Sequence, residues 1–323
     1  MNSLTLFEPF KNDLKKVDQL LLERFSKAID SIKTPTIQLL NAGGKRTRPL
    51  LCLLSSRFGD TDVKKPFELA VAIELIHMSS LVHDDIIDRA SLRRGQPTIH
   101  KQHTNRHATY IGDYLFAESL AIMTKLKHSF ANQQFSITIK KLSMGECAQY
   151  QNRYQMNDSI RMYLRKNRDK TARLLGVSCQ LGAMISNADK STQATLYQYG
   201  YCLGMSYQII DDILDFTKPN HVLGKESGQD LIEGYLTIPT LYAMKEIDIY
   251  SEIENLFQRS LKHQSADFDS VISQIKQTNA IQQSFKLSQH YLDRALNALK
   301  KLPDRPEKET MYHLVGYLSK RNH

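Results

Sequence analysis

Residues 68–88 read ELAVAIELIHMSSLVHDDIID, an apolar run that ends in three aspartates. The apolar residues cover most of the circumference of a helix, as expected for a helix enclosed by others in a bundle. Asp84 and Asp88 are four positions apart and therefore share one helix face. Three carboxylates on so short a stretch repel one another unless a cation or a basic partner lies among them. The stretch predicts a buried helix that carries a cation site at its end.

A second aspartate cluster, DDILD at residues 211–215, follows another apolar run at residues 202–210. One such cluster alone is equally well explained by a solvated acidic helix end. Two clusters at the ends of strongly apolar helices are harder to explain as surface decoration. Carboxylate oxygens suit hard cations, and Mg²⁺ typically takes only one or two of them together with waters and substrate phosphates. The pair predicts Mg²⁺ sites on two different helices, which could face each other.

The rest of the chain also has apolar residues at helical spacing. The clearest segments are residues 14–32, 66–87, 114–125, 158–185, 193–216 and 284–302. β-branched runs bounded by turn signals are nearly absent, and no glycine-, serine- or proline-rich stretch divides the sequence. We expect an all-α protein in which residues 1–323 form a single-domain helical bundle with a central cavity, and the chemistry lies between facing helices.

The sequence also carries signals about cellular compartment. Residues 1–10 have neither a basic nor an apolar region of the kind found in secretory signals. No run approaches the roughly 18 consecutive apolar residues that a membrane-spanning helix needs. The cysteines stand singly in apolar helical surroundings, which predicts buried free thiols: Cys52, Cys147, Cys179 and Cys202. We expect a cytoplasmic protein without a transmembrane segment.

The chain has 43 basic and 34 acidic residues, a formal net charge of +9. Several basic residues stand beside glycine or proline turns, in GGKRTRP at residues 43–49 and in LRRG at residues 92–95. They do not form a stripe along one helix interleaved with aromatic residues. This placement favours compact phosphate pockets over a nucleic-acid track.

Taken in order, these motifs resemble those of the trans-polyprenyl diphosphate synthases over essentially the whole chain. GGKRTRP is similar to the family's basic turn, DDIID followed by Arg93-Arg94-Gly95 to its first aspartate-rich motif, and YQIIDDILD at residues 207–215 to its second. Shorter matches complete the order: Gly112-Asp113, Gly145-Glu146 with Gln149, Lys170-Thr171-Ala172, and Gly224-Lys225 to Asp230-Leu231. The resemblance implies the isoprenoid-synthase helical fold.

The resemblance also implies residue roles. It assigns Mg²⁺ binding to Asp84, Asp88, Asp211 and Asp215. It assigns the diphosphate of an allylic substrate to Arg93, Lys170, Thr171, Gln208 and Lys225, and that of isopentenyl diphosphate to Lys45, Arg48, His77 and Arg94. The residues expected to carry catalysis are Asp84, Asp88, Arg93, Lys170 and Asp211. A lone histidine in an apolar helix is more often a core residue, but His77 precedes Asp84 by seven positions and so falls on roughly the aspartate face.

The implied reaction is a Mg²⁺-assisted ionisation of the allylic diphosphate, such as farnesyl diphosphate, followed by attack of isopentenyl diphosphate. Short-chain members commonly have a bulky aromatic residue four or five positions before the first motif, where this chain has Ser80 and Ser79. We therefore expect a long product, in the C30–C35 range, that supplies a quinone side chain.

Three other functions are open at this stage. A class I terpene cyclase would use a similar fold and a DDxxD motif, but would not need a second diphosphate pocket. A non-catalytic regulatory subunit would be expected to lose some of the aspartates, which are intact here. Nucleic-acid binding rests on the net charge alone.

One position departs from the family pattern: Tyr235 stands where a lysine is usual. Members that lack this lysine occur among the two-subunit synthases, and the sequence most resembles the larger, motif-bearing component of hexaprenyl and heptaprenyl diphosphate synthases. We expect a heterodimer with a small regulatory subunit, with a homodimer as the alternative. Because the product is lipophilic, transient contact with a membrane is also expected.

Overall fold

The computed structural model describes residues 10–60, 64–157, 159–217 and 227–320. These residues are helical almost throughout, which confirms the all-α prediction. The first helices are α1 (Lys11–Phe25), α2 (Asp30–Asn41), α3 (Thr47–Ser56), α4 (Lys64–Ile87), α5 (Ile99–Gln102), α6 (Asn105–Lys125), α7 (Ser129–Gln151) and α8 (Ile160–Asn167). A π-helical turn (Arg168–Ala172) follows, and then α9 (Arg173–Ile185), α10 (Lys190–Thr217), α11 (Gln229–Ile232), α12 (Ile238–Ala243), α13 (Ile247–Leu261), α14 (Asp269–Gln277), α15 (Ala280–Leu299) and α16 (Pro306–Lys320).

The described residues group into two compact units. The first comprises those within 1–136, 177–197 and 302–310, and the second those within 137–176, 198–301 and 311–323. The assignment of the whole chain to a single domain stays a prediction.

Helix α4 is the central element of the first unit. It packs mainly on α6 and α3, and its buried residues lie on all sides of the helix, as its sequence predicts. The contact with α6 is close at Gly112, where a Cβ atom would lie 2.3 Å from Nε2 of His83. The carbonyl of the same glycine accepts a 2.8 Å hydrogen bond from the Ser79 hydroxyl of α4. The glycine therefore fixes how closely α6 approaches the helix end that bears the first aspartates.

In the second unit, α15 packs against α12 and α14, and α8 packs against α12. Large aromatic side chains fill this unit, and Tyr163 and Tyr199 are both almost fully buried. The Tyr199 hydroxyl donates to the Met311 carbonyl at 3.0 Å, so a buried polar group is satisfied. This packing holds the helix segment that carries the second aspartate cluster.

Several details differ from the sequence predictions. The helix predicted at residues 14–32 is broken at residues 26–29, between α1 and α2. The sequence pattern does not reveal this break, because both helices bury an apolar face and the helical spacing of apolar residues continues across it. A short hairpin was not predicted: β1 (Leu92–Arg93) pairs antiparallel with β2 (Gln96–Pro97).

Cys147 is exposed, so the prediction of a buried thiol is wrong there, although it is confirmed for Cys52, Cys179 and Cys202. Among the described helices, none is both long and apolar enough to cross a membrane.

Candidate active site

The first aspartate cluster lies at the end of α4. Asp88 follows the last helical residue, but its N–H still donates to the Asp84 carbonyl at 2.8 Å, so the helical turn continues through it. Asp84 is half-buried and Asp88 is exposed, whereas Asp85 is only 4% exposed. The outer carboxylates are therefore the ones with access to a ligand.

The middle aspartate of this cluster contacts Arg93 of the hairpin. Arg93 Nε lies 2.7 Å from Oδ1 and 2.9 Å from Oδ2 of Asp85, and Arg93 Nη2 lies 2.6 Å from Oδ1. Charge-assisted contacts of this kind are both strong and directional. Arg93, which the sequence assigns to the allylic diphosphate, is thus held at a defined position beside the aspartate cluster.

The hairpin turn places the next arginine differently. Arg94 and Gly95 have φ angles of 53° and 76°, the signs required by a two-residue type I′ turn. The exposed Arg94 side chain packs on Gly44, where a Cβ atom would lie 2.7 Å from Arg94 Nη1. Gly44, with φ 142°, therefore provides both the backbone conformation and the space that bring Arg94 to the basic turn.

Within that turn, Arg46 and Arg48 have different surroundings. Arg46 is 8% exposed, and its guanidinium contacts Asp18 at 2.8 Å and Glu74 at 3.3 Å. Arg46 therefore anchors the turn, which agrees with its omission from the predicted ligands. Arg48 Nη1 lies 3.0 Å from Nε2 of His77. Because an arginine has only donors, this His77 nitrogen is the acceptor.

The electrostatics around His77 are strongly positive. Burial lowers the pKa of His77 well below its usual value, and the charges of Arg48 and Arg94 lower this pKa further. A neutral His77 that accepts from Arg48 orients the arginine.

A cavity of about 440 Å³ opens between α2 and the hairpin. Its polar lining includes Gln38, Asn41, Asp85, Arg93, Arg94, Gln96 and Gln102.

The second aspartate cluster lies near the end of α10. Asp212 is 3% exposed, whereas Asp211 and Asp215 are half-buried. Asp212 Oδ2 accepts a 2.5 Å hydrogen bond from the Tyr163 hydroxyl, and Oδ1 accepts a 2.9 Å bond from Gln208 Nε2. Burial raises the pKa of Asp212 to about 6, although these two hydrogen bonds partly offset the effect of burial. The middle aspartate is therefore again a buried acceptor, and the outer two have access to a ligand.

The π-helical turn carries two further predicted ligands. The Thr171 hydroxyl donates to Gln208 Oε1 at 2.9 Å. Lys170 Nζ lies 3.0 Å from Oε2 of Glu146 and 3.4 Å from Oε1 of Gln149. The structure thus brings together Lys170, Thr171 and Gln208, three of the residues assigned to the allylic diphosphate. Lys225, assigned to the same group, lies outside the described residues.

Two loops meet at Tyr235, the position that departs from the family pattern. Arg153 lies over the Tyr235 ring, with Cζ 5.7 Å from the ring centroid, and its Nε donates to the Glu233 carbonyl at 2.5 Å. The Tyr154 N–H donates to the Gly234 carbonyl at 2.8 Å. A positive charge therefore stands beside the tyrosine that replaces a lysine, a contact that no local sequence signal indicates.

The donor atoms available suit Mg²⁺ rather than a metal that prefers nitrogen or sulfur ligands. Within the part of the chain that the structure describes, no three histidine, cysteine or acidic side chains converge closely enough to hold a metal ion unaided. Mg²⁺ commonly binds through one or two carboxylates and completes its coordination with waters and substrate phosphates. The accessible outer carboxylates of each cluster fit that pattern.

Comparison with known proteins identifies the family. The sequence matches the Polyprenyl synthetase family over residues 29–275, which is well over half of the chain. The chain belongs to this family. The match confirms a prenyltransferase of the trans-polyprenyl diphosphate synthase type, as the ordered motifs predict.

Several relatives of this polyprenyl synthetase are long-chain enzymes. Heptaprenyl diphosphate synthase component 2 of Bacillus subtilis (strain 168) is 42% identical over 310 residues, which are 96% of this chain and 88% of the relative. The component 2 of Geobacillus stearothermophilus is 42% identical over 323 residues, the full length of both proteins. The crystal structure of heptaprenyl diphosphate synthase from Staphylococcus aureus superposes with a TM-score of 0.92 at 36% identity, covering 97% of this chain and 99% of that one. The isoprenoid-synthase fold and a long-chain trans-prenyltransferase are thereby confirmed.

Proposed function

We propose that this chain is the catalytic component of a two-component, Mg²⁺-dependent polyprenyl diphosphate synthase. It condenses an allylic diphosphate such as farnesyl diphosphate with successive molecules of isopentenyl diphosphate, to products in the C30–C35 range. The observation that carries the proposal is the occurrence of two aspartate clusters with accessible outer carboxylates, with Arg93 beside the first cluster and Lys166 near the second. In the cell, the product supplies a quinone side chain, and the enzyme is cytoplasmic.

The chemistry is electrostatic and requires no protein nucleophile. Lys170 and Gln208 bind the allylic diphosphate and favour its departure, while Lys45, Arg48 and Arg94 hold isopentenyl diphosphate. Asp84, Asp88, Asp211 and Asp215 would hold Mg²⁺, which would stabilise the negative charge that builds on the leaving group. The C1–O bond of the allylic diphosphate breaks with its electron pair on the diphosphate, and the C=C bond of isopentenyl diphosphate attacks the resulting allylic cation at C1, forming a C–C bond. The departed diphosphate takes the proton released in the final step.

A partner subunit is the second part of the proposal. Two relatives at 42% identity are named as component 2 of a heptaprenyl diphosphate synthase. Tyr235 supports the same assignment, because the resemblance places this departure among two-subunit synthases. A small regulatory protein is therefore the proposed partner, and a homodimer is the alternative. The intact aspartates disfavour a non-catalytic subunit.

The test is product analysis of the purified chain. The full chain is incubated with farnesyl diphosphate, labelled isopentenyl diphosphate and Mg²⁺, with and without candidate small subunits, and dephosphorylated products are separated by reversed-phase chromatography. We expect weak or no activity alone and C30–C35 products with the partner. Full processive synthesis by the single chain would overturn the partner assignment. Products that stop at C15–C20 under all conditions would overturn the long-chain assignment.

A further inference from the structure

We propose that Tyr163 and Asp212 are positioning residues for the allylic diphosphate. Together they fix the orientation of the Gln208 side-chain amide, and through it the hydroxyl of Thr171. This inference rests on the proposed function, which makes Gln208 and Thr171 ligands of that diphosphate. No role is assigned to Tyr163 by the sequence motifs.

The orientation of the Gln208 amide depends first on Asp212. This side chain is 3% exposed, and each of its two oxygens accepts a hydrogen bond from a neighbouring side chain. Because both oxygens act as acceptors, Asp212 binds the nitrogen end of the Gln208 amide and repels its oxygen end. Asp212 therefore determines which way the amide of Gln208 turns.

The orientation of the Gln208 amide in turn determines which of its atoms face Thr171 and the diphosphate. With Gln208 Nε2 directed to Asp212 at 2.9 Å, Gln208 Oε1 faces Thr171 and accepts its hydroxyl at 2.9 Å. The amide nitrogen carries two hydrogens, and Asp212 uses one of them. The other hydrogen is directed away from Asp212, as required for donation to a diphosphate oxygen. A reversed amide would present its carbonyl oxygen there and repel the anion.

Tyr163 holds Asp212 in the orientation that binds Gln208. Its ring is 1% exposed on α8, and its hydroxyl lies 2.5 Å from Asp212 Oδ2 on α10. Without this hydroxyl, Asp212 retains an acceptor without its donor, which is costly because this side chain is only 3% exposed. Rotation of the carboxylate toward another donor would then break the bond to Gln208. Tyr163 thus acts on the diphosphate site only through Asp212 and Gln208.

The network also stabilises an irregular backbone. Thr171 lies in the π-helical turn between α8 and α9, and turns of this kind occur frequently at functional sites. Thr171 of the turn donates to Gln208 of α10, and Tyr163, on the helix that leads into the turn, donates to Asp212 of α10. Two hydrogen bonds thus join the turn and the helix before it to α10. The orientation of the ligand-binding turn and that of the amide are therefore set together.

The experiment compares two buried tyrosines of the same unit. Tyr163→Phe removes the hydroxyl on Asp212, and Tyr199→Phe removes a hydroxyl that donates to the Met311 carbonyl, outside the network. We measure the Kd of the full chain for inorganic diphosphate with Mg²⁺ by calorimetry, and the KM for each substrate in the active enzyme. For Tyr163→Phe we expect the Kd and the KM for the allylic substrate to rise about tenfold. The KM for isopentenyl diphosphate should change less than about twofold, and Tyr199→Phe should change neither constant.

A double-mutant cycle separates positioning from general destabilisation. If Tyr163 acts through Gln208, adding Tyr163→Phe to Gln208→Leu should raise the Kd for diphosphate little further, because the effects of coupled residues are not additive. Asp212→Asn is the second variant, since its amide nitrogen can donate to Gln208 Oε1 and reverse the amide. If Tyr163→Phe does not fold, Asp212→Asn is judged by the same measurements.

The outcomes are distinct. Equal constants for Tyr163→Phe and Tyr199→Phe, or additive effects in the cycle, overturn the positioning role and leave the proposed function intact. A wild-type chain that neither binds inorganic diphosphate with Mg²⁺ nor forms a polyprenyl product with any partner overturns the proposed function itself.

Discussion

The guanidinium of Arg93 contacts both carboxylate oxygens of Asp85, with Nε 2.7 Å from Oδ1 and 2.9 Å from Oδ2. Asp212 has a comparable position in the other cluster, where its two oxygens accept from Tyr163 and Gln208. The middle aspartate of each cluster is thus buried and bonded to protein, whereas the outer aspartates are more accessible. In each cluster, a buried aspartate that accepts hydrogen bonds from protein side chains therefore stands between two candidate metal ligands.

Asp85→Asn should release Arg93 from its defined position. The neutral amide presents only one acceptor oxygen, so we expect the KM for the allylic substrate to rise and the free energy of unfolding to fall by about 1–3 kcal/mol. The measurements are substrate kinetics and urea unfolding. Asp304→Asn, which removes an exposed partner of Lys308, is the control and should change neither quantity. Wild-type behaviour of Asp85→Asn would show that the pair has no role in the site.

Asp84→Ala and Asp211→Ala should each reduce turnover by orders of magnitude, because each removes a proposed Mg²⁺ ligand. Loss of one carboxylate also relieves repulsion within its cluster, so the fold should be retained and the circular dichroism spectrum unchanged. EDTA should abolish wild-type activity, and excess Mg²⁺ should restore it. Near-normal turnover in either variant, or activity that survives chelation, contradicts the metal assignment.

The two diphosphate pockets should be separable by kinetics. Lys45→Ala and Arg94→Ala should mainly raise the KM for isopentenyl diphosphate, whereas Lys170→Ala should mainly raise the KM for the allylic substrate. Each change removes a charge-assisted contact worth about 1.5–3 kcal/mol, equivalent to roughly 10- to 150-fold in KM. Lys225→Ala, outside the described residues, should behave as Lys170→Ala does. The same pattern in every variant for both substrates contradicts the assignment.

His77 should make stability depend on pH. The folded protein keeps His77 neutral because its pKa is lowered, while the unfolded chain takes up a proton near pH 6.5. The contribution of this group is therefore complete above about pH 6.5 and is lost as the pH falls toward the folded-state pKa, by at most about 1.4 kcal/mol per pH unit. Urea unfolding of wild type and His77→Gln between pH 7.5 and 5.5 measures it.

In that comparison, His77→Gln should show the shallower loss of unfolding free energy on acidification. The exposed His313 provides a matched control, and His313→Gln should keep the wild-type slope. Burial raises the pKa of Glu74, one turn away, which has the opposite effect on stability. Glu74 is present in every variant, so its contribution cancels. Identical slopes in wild type and His77→Gln would disprove the prediction.

Ser80→Phe should shorten the product. The proposed function places elongation at the first aspartate cluster, and Ser80 lies one turn, about 6 Å, before Asp84 along α4. The Ser80 hydroxyl donates to the His77 carbonyl of its own turn, a local contact whose loss should disturb little packing between helices. We expect products near C15–C20 with the first condensation retained, as measured by reversed-phase chromatography.

Ser79→Tyr is the companion variant, with a different structural consequence. Ser79 is 2% exposed and bonds to Gly112 of α6, so a large side chain there should also lower stability. An unchanged product length in both variants would mean that the serines serve only close helix packing and that the growing chain takes another route.

The sequence alone determined the fold class and the candidate chemistry of this protein. Helical periodicity and the scarcity of breaking residues predict the all-α fold, because a helix repeats every 3.6 residues whatever its neighbours are. The same rule places Asp84 and Asp88 on one face. The ordered motifs then identify the family and the candidate ligands, because the spacing of these groups is visible along the chain.

Only the tertiary structure decided which aspartates of the two clusters bond to protein and which stay accessible. Adjacent aspartates look equivalent in DDIID and DDILD, but the rotation of each helix against its neighbours buries Asp85 and Asp212 and leaves the outer residues accessible. Asp212 and Tyr163 are 49 positions apart, so their hydrogen bond exists only because α8 packs beside α10. Arg153 reaches Tyr235 in the same way, across two loops. Local spacing fixes which residues share a helix face, and long-range packing fixes what that face contacts.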